Sequence, residues 1–300
     1  MTPLAFIFIV ASAGLHASWN MIAKKEHITI AFYAFLCSFG ALWSLGVRFF
    51  SPLYFFGQPR MFYLMLAGTL TGELIYGLGL IRAYRALDMS TAYPMMRSLP
   101  LLLIAGITTV GGLGKPLSVP AMAGMAVIFS GCLVMPLKKL SDFKLANYLN
   151  RSMLYIVMVA CGTTLYTIFD SQAQRVMRDA FPEVSKTMIS LTYYSFRALF
   201  LAIFFWTIAF CGRKTRAEAS ELFRRRSWMP VLAGIFSSMT YVLVLLAMNF
   251  VTNVSYVQAF RQLGLLIGML EGIIILKERC TVPKVAGITL ILSGLALTLF

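Results

Sequence analysis

Charge is scarce in this 300-residue chain, and acid is scarcer than base. Only 12% of residues are charged, 11 Asp and Glu against 26 Lys and Arg, while 59% are apolar. A soluble globular domain carries about 25% charge, so that class is excluded. Histidine is nearly missing, with His16 and His27 the only two, and no metal-ligand cluster or nucleophile motif is visible. The machinery of a metalloenzyme or a hydrolase is therefore not expected, and no cofactor is. The five cysteines (Cys37, Cys132, Cys161, Cys211, Cys280) are scattered, without metal or redox-pair spacing, and read as small packing residues. Gly111-Gly112-Leu113-Gly114-Lys115 lacks the spacing and the following Ser or Thr of a phosphate loop, which argues against direct ATP drive.

Long apolar runs are what the chain does have. Crossing about 30 Å of hydrocarbon takes about 20 helical residues. Ten segments meet that length, approximately Pro3–Ala23, Thr29–Phe50, Phe62–Ile81, Thr91–Val110, Val119–Leu137, Met153–Gln172, Thr187–Cys211, Pro230–Met248, Asn253–Leu276 and Val282–Phe300. The fold class expected is all-α, a polytopic membrane protein with ten transmembrane helices and no soluble domain. Ala11-Ser12-Ala13 mimics a signal-peptidase site, but no basic residue precedes it and the apolar pattern continues to Met21, so a retained helix is expected. The +15 net charge sits mostly in loops, where anionic lipid headgroups account for it without a nucleic acid partner. Base concentrates after the odd-numbered segments, at Lys138, Lys139, Lys144, Arg151, Arg213, Lys214, Arg216 and Arg224 to Arg226. The even loops hold Arg48, Arg60, Lys115, Arg175, Arg178 and Lys186. The positive-inside rule then puts the odd loops in the cytoplasm and both termini outside.

One stretch occurs twice. Ser118-Val119-Pro120-Ala121-Met122-Ala123-Gly124, closed by Ser130-Gly131, returns as Thr281-Val282-Pro283-Lys284-Val285-Ala286-Gly287, closed by Ser293-Gly294. Upstream of each copy an arginine interrupts an apolar helix, Arg97 and Arg261. Residues 1–137 and 152–300 are thus read as two related five-helix repeats joined by a basic linker, 138–151. An odd number of helices per half makes the second copy enter from the opposite side, so the repeats are inverted.

The order of several short stretches resembles the drug/metabolite transporter superfamily, in its ten-helix EamA-like branch. These are Leu15-His16-Ala17-Ser18-Trp19-Asn20 with Lys24, Ala83 to Asp88 leading into Ala92-Tyr93-Pro94-Met95-Met96-Arg97, Leu165 to Asp170, Ala259-Phe260-Arg261-Gln262, and Leu276-Lys277-Glu278-Arg279. The His-Ala-Ser-Trp-Asn form is similar to a branch found with phosphonate-utilisation genes. The resemblance implies cytoplasmic termini, opposite to the charge count. It also departs from this chain in two places: Leu113-Gly114-Lys115-Pro116 replaces a Gly-Glu-Arg turn, and Gln262 stands where many relatives have Glu.

Besides Arg48 and Lys284 near span ends, six charged side chains fall inside predicted spans: Glu73, Arg97, Asp170, Arg197, Arg261 and Glu271. Each costs several kcal/mol facing lipid, so each needs a partner or water. Ion pairs holding helices together are one reading. The other is a substrate site. Arg97 lies about 9 Å into helix 4 and Arg261 about 12 Å into helix 9, measured from opposite faces. That leaves them roughly 9 Å apart along the normal of a 30 Å core. Guanidinium groups bind carboxylates and phosphonates through paired donors. Arg97, Arg261, Tyr93, Trp19, Tyr166 and Tyr256 are therefore the candidate substrate-binding residues. Glu73 and Asp170 are the candidates for proton coupling, with a carboxylate locked to an arginine as the alternative. Glu271 reads as snorkelling towards Lys277, His16 and Asn20 as polar glue between helices, and the Gly264, Gly268, Gly272 stripe as a packing face. Pro94 and Pro100 bracket Arg97 and are expected to bend helix 4.

These features predict a secondary transporter in the bacterial inner membrane. It moves a small anionic or zwitterionic metabolite by alternating access, with proton coupling, facilitated diffusion or exchange all open. The partners expected are the solute, membrane lipids and protons, for a monomer or homodimer. A membrane-embedded enzyme acting on a lipid-linked substrate is the alternative, and a non-transporting assembly subunit a third.

Overall fold

The computed structural model describes residues 2–87, 89–137, 139–142, 152–224, 227–275, 277 and 279–300. Asp88, Lys138, Lys144, Arg151, Arg225, Arg226, Leu276 and Glu278, which enter the charge count and motifs above, lie outside these residues, as does most of the 138–151 linker. The described residues form helices and no strands: α1 (Pro3–Lys25), α2 (Ile30–Phe50), α3 (Arg60–Ala86), α4 (Met89–Val110), α5 (Val119–Val134), α6 (Met153–Ala180), α7 (Lys186–Cys211), α8 (Arg213–Arg224), α9 (Met229–Ala247), α10 (Val254–Phe260), α11 (Leu263–Ile275) and α12 (Val282–Leu297).

Capping chemistry sets several starts. Thr2, Thr29, Ser118 and Ser185 each accept a hydrogen bond from a backbone N–H of the first turn. In both copies of the repeat the proline sits in the opening turn, where no N–H is needed. Outer faces stay apolar: Leu42, Leu64, Ile203, Met239 and Val285 are exposed. Polar and charged side chains such as Asp170, Gln262 and Arg261 are turned inside. A water-soluble protein would do the reverse, so this surface suits lipid.

The ten apolar segments are not ten equal spans. Among the described residues, seven helices are long and apolar enough to cross a membrane. Two more, α5 and α12, have 16 residues, about 24 Å of rise and so short of the hydrocarbon thickness. The ninth segment, expected as one helix over Asn253–Leu276, is broken into α10 and α11. At Gln262, Gly264 and Leu265 the backbone N–H groups bond three residues back instead of four, which tightens the chain into a turn at Arg261–Gln262. The expected loop at 213–224 is instead α8, an amphipathic helix. Its Phe223 stacks on Trp206 of α7, with centroids 5.9 Å apart. Helix α4 continues through both Pro94 and Pro100.

The main helix pairings correspond when residues 1–137 and 152–300 are exchanged. Helix α3 lies along α6 as α9 lies along α1, and α4 meets α6 as α10 and α11 meet α1. Helices α2 and α7 pair with each other, and so do α5 and α12. In that last pair the repeat glycines meet head to tail. A Cβ built on Gly124 would lie 2.5 Å from the Gly294 carbonyl oxygen, and one on Gly131 would lie 2.6 Å from that of Gly287. Only glycine permits such backbone contact. The first glycine of each copy thus meets the second of the other, as a twofold axis perpendicular to these helices produces.

Candidate functional site

A cavity lies among α1, α2, α3, α6, α7, α9 and the α10–α11 turn. A smaller lobe adjoins it on the α4 side. His16, Tyr76, Tyr166 and Arg261 line both. One lobe holds Arg97 and Tyr93, the other Glu73 and Arg197.

At the basic end, α4 and the broken helix hold each other reciprocally. The Arg97 guanidinium donates through Nη2 to the Arg261 carbonyl at 2.8 Å. Gln262 donates from its amide to the Arg97 carbonyl at 3.1 Å and to that of Gln258 at 3.2 Å. The turn makes this possible, since the Arg261 carbonyl takes its only helical bond from Gly264 N–H. Tyr93, one turn before Arg97, places its ring 5.4 Å from the guanidinium carbon. Gly264 leaves room for the group: a Cβ there would stand 2.8 Å from Arg97 Nη2. Arg97 and Arg261 are 6% and 2% exposed, and among the described residues neither has an ion pair. Five buried polar atoms around them have no hydrogen-bond partner: Tyr93 hydroxyl, Arg97 Nε, Arg261 Nε, Gln258 Oε1 and Gln262 Oε1. Buried donors are seldom left unmade without a role.

The acidic end is tied up by contrast. Arg197 on α7 donates through Nη2 to Glu73 on α3 in a close ion pair, and its Nε lies 3.9 Å from Asp170 on α6. Tyr33 donates to the second Glu73 oxygen at 3.1 Å. Asp170 accepts from Thr69 at 2.8 Å and closely from Tyr193 and Tyr241. The Arg197 guanidinium lies 3.8 Å above the Tyr241 ring. Side chains from α2, α3, α6, α7 and α9 thus converge on two carboxylates and one guanidinium.

A family profile bears on this geometry. That of the EamA-like transporter family matches residues 150–300. The chain belongs to that family. No curated protein matches it. Among 25 solved chains that do match in structure, one titled only as the crystal structure of a protein has a TM-score of 0.66 at 13% identity, covering 99% of this chain and 96% of the other. At that identity the likeness is of fold alone. Family and apolar helices together make this EamA-like chain an integral membrane protein of a transporter family.

Of the residues singled out in this EamA-like sequence, Arg97, Arg261, Tyr93, Trp19 and Tyr166 all line the cavity or its lobe. Tyr256 is not among the lining residues. It is two positions from Gln258, which lines the lobe, and two helical positions are about 200° of rotation. Glu271 turns to α1, where Ser18 donates to it at 2.7 Å, rather than along its own helix to Lys277. Asn20 accepts from Tyr84 of α3 at 2.7 Å and also lines the smaller lobe. His16 is more than glue: it lines both lobes and accepts the Trp19 indole N–H at 3.1 Å. Sequence reasoning left out Tyr33, Gln258 and Gln262 as site residues. The i,i+4 spacing of the two glutamines was the available signal for a shared inner face.

Proposed function

We propose that the protein is a secondary transporter of a small anionic or zwitterionic metabolite in the bacterial inner membrane. The observation that carries this reading is the pair of buried, unpaired arginines beside a central cavity. An uncompensated guanidinium in a membrane bundle is expensive, and two of them with unfilled donors suit a carboxylate or phosphonate that supplies the missing acceptors. The five-helix halves act as the two moving bodies of alternating access, with the solute between α4 and the α10–α11 turn. The short break beside Arg261 is the kind of discontinuous helix that such sites use. Glu73 and Asp170 offer the coupling step, since a proton on either weakens its hold on Arg197 or on the tyrosines and loosens the contact between α3, α6, α7 and α9. No specific observation favours the membrane-enzyme alternative.

The test is ligand-dependent thermal stabilisation of the purified protein with phosphate, methylphosphonate, acetate and glycine, followed by uptake into liposomes. A binder of the folded state raises its stability. Arg97→Ala and Arg261→Ala are each expected to weaken the anion found by about 100-fold, in line with about 2–5 kcal/mol for truncating one partner of a buried charge contact. Normal binding and transport by both variants would overturn the site.

A further inference from the structure

The cavity has two electrical ends, and the second has no ligand assigned. At the Glu73 end two carboxylates, Glu73 and Asp170, face one guanidinium, Arg197. With both carboxylates ionised, the cluster holds one negative charge more than it pairs internally. Asp170 is screened behind Thr69, Tyr193 and Tyr241, and its side chain is 0% exposed. Glu73 lines the cavity instead. It accepts one bond on each oxygen, from Arg197 and Tyr33, out of about four lone-pair positions that a carboxylate offers.

Around it stand aromatic rings. Tyr33 and Tyr76 have centroids 6.5 Å apart, Tyr76 and Tyr166 5.6 Å, and Tyr166 and Tyr241 5.7 Å. That row leads from Glu73 to Tyr166, which shares the cavity wall with Arg261. One member already receives a cation on its face, since the Arg197 guanidinium lies over Tyr241. Tyrosine faces beside a carboxylate with spare acceptors attract an ammonium by the ring quadrupole and by charge-assisted hydrogen bonds.

We infer that Glu73, with Tyr33, Tyr76 and Tyr241, forms an ammonium subsite, so that the transported solute is a zwitterion with its acid at Arg97 and Arg261 and its amine at Glu73. This rests on the anion-binding reading of the arginine pair and adds a second point of attachment to it. Such a solute answers both ends at once, whereas a simple anion leaves the Glu73 end unanswered. A single molecule bound to α3 at one end and to the α10–α11 turn at the other also bridges elements from both halves.

Matched ligands read this directly. Alkylphosphonates of two to four carbons are titrated into the wild-type protein beside their ω-amino counterparts, and the affinity ratio is the readout. The expected result is an amine advantage of about tenfold at the best chain length, the worth of roughly 1.4 kcal/mol. Glu73→Gln should bring the ratio to about one, Glu73→Asp should restore part of it, and Tyr76→Leu should lower it without erasing it. A wild-type ratio of one at every chain length overturns the ammonium subsite while leaving the arginine site standing. So does a tenfold ratio that survives in Glu73→Gln. If neither ligand series binds the wild-type protein, the arginine reading itself fails and the subsite falls with it. The wild-type ratio needs no variant, so a misfolded Glu73→Gln does not remove the test.

Discussion

Two arginine sites lie within one bundle and are handled in opposite ways. Arg197 sits between Glu73 and Asp170 and over Tyr241. Arg97 has the Arg261 carbonyl and the Tyr93 ring, Arg261 lines the cavity beside His16, Tyr76 and Tyr166, and among the described residues neither guanidinium has a carboxylate partner. All three are similarly buried, so burial alone does not tell a structural charge from a functional one. Nε lacks a hydrogen bond in all three, and what differs is the counter-charge, which among the described residues only Arg197 has. A guanidinium whose partners come from the protein holds helices together, and one whose partners are missing waits for a ligand.

That contrast is best broken by removing each guanidinium while keeping its bulk. Arg197→Met strands two buried carboxylates and should cost about 3–5 kcal/mol, the usual consequence of removing one partner of a buried pair. Arg97→Met strands no carboxylate and should change stability by only about 1 kcal/mol, the worth of its one hydrogen bond. Thermal unfolding in the same detergent compares them, and equal losses would dissolve the distinction. A smaller effect should follow Gly264→Ala. Its Cβ lands 2.8 Å from Arg97 Nη2, so the guanidinium must shift, and methylphosphonate affinity should fall about tenfold, or 1.4 kcal/mol. Unchanged affinity would show that the group's present position is not the binding one. The smallest change is Tyr33→Phe. It removes one hydrogen bond to Glu73 and should cost about 0.6–1 kcal/mol of stability. A loss rivalling that of Arg197→Met would mean the phenols, rather than the guanidinium, hold the acidic end.

Legibility differed between fold and site. Apolar length announced the bundle, and the Val-Pro…Ala-Gly…Ser-Gly repeat located two matching helices whose glycines do meet at the backbone. The same repeat gave the register that aligned Arg97 with Arg261. The break after Phe260 was invisible because no proline marks it; Gly264 is the nearest weak helix former, and it lies in a stripe that reads equally as packing. Helix α8 was missed because its charged residues suggested a loop, whereas its apolar Ala219, Leu222 and Phe223 form one narrow stripe against the ends of α2 and α7. Tyr33 was lost among 24 Phe, 13 Tyr and 4 Trp, since aromatic residues in apolar helices carry no local mark of facing inward.

By itself the sequence determined the membrane class, because the number of apolar residues per run is set by bilayer thickness. It also determined the duplication and the short list of charges that could not face lipid. Only the tertiary structure decided which of those charges are satisfied. Glu73 and Arg197 are 124 positions apart, and Arg97 and the Arg261 carbonyl 164 apart. Their pairing depends on how α3 meets α7 and how α4 meets the α10–α11 turn, a matter of helix packing that no local pattern encodes.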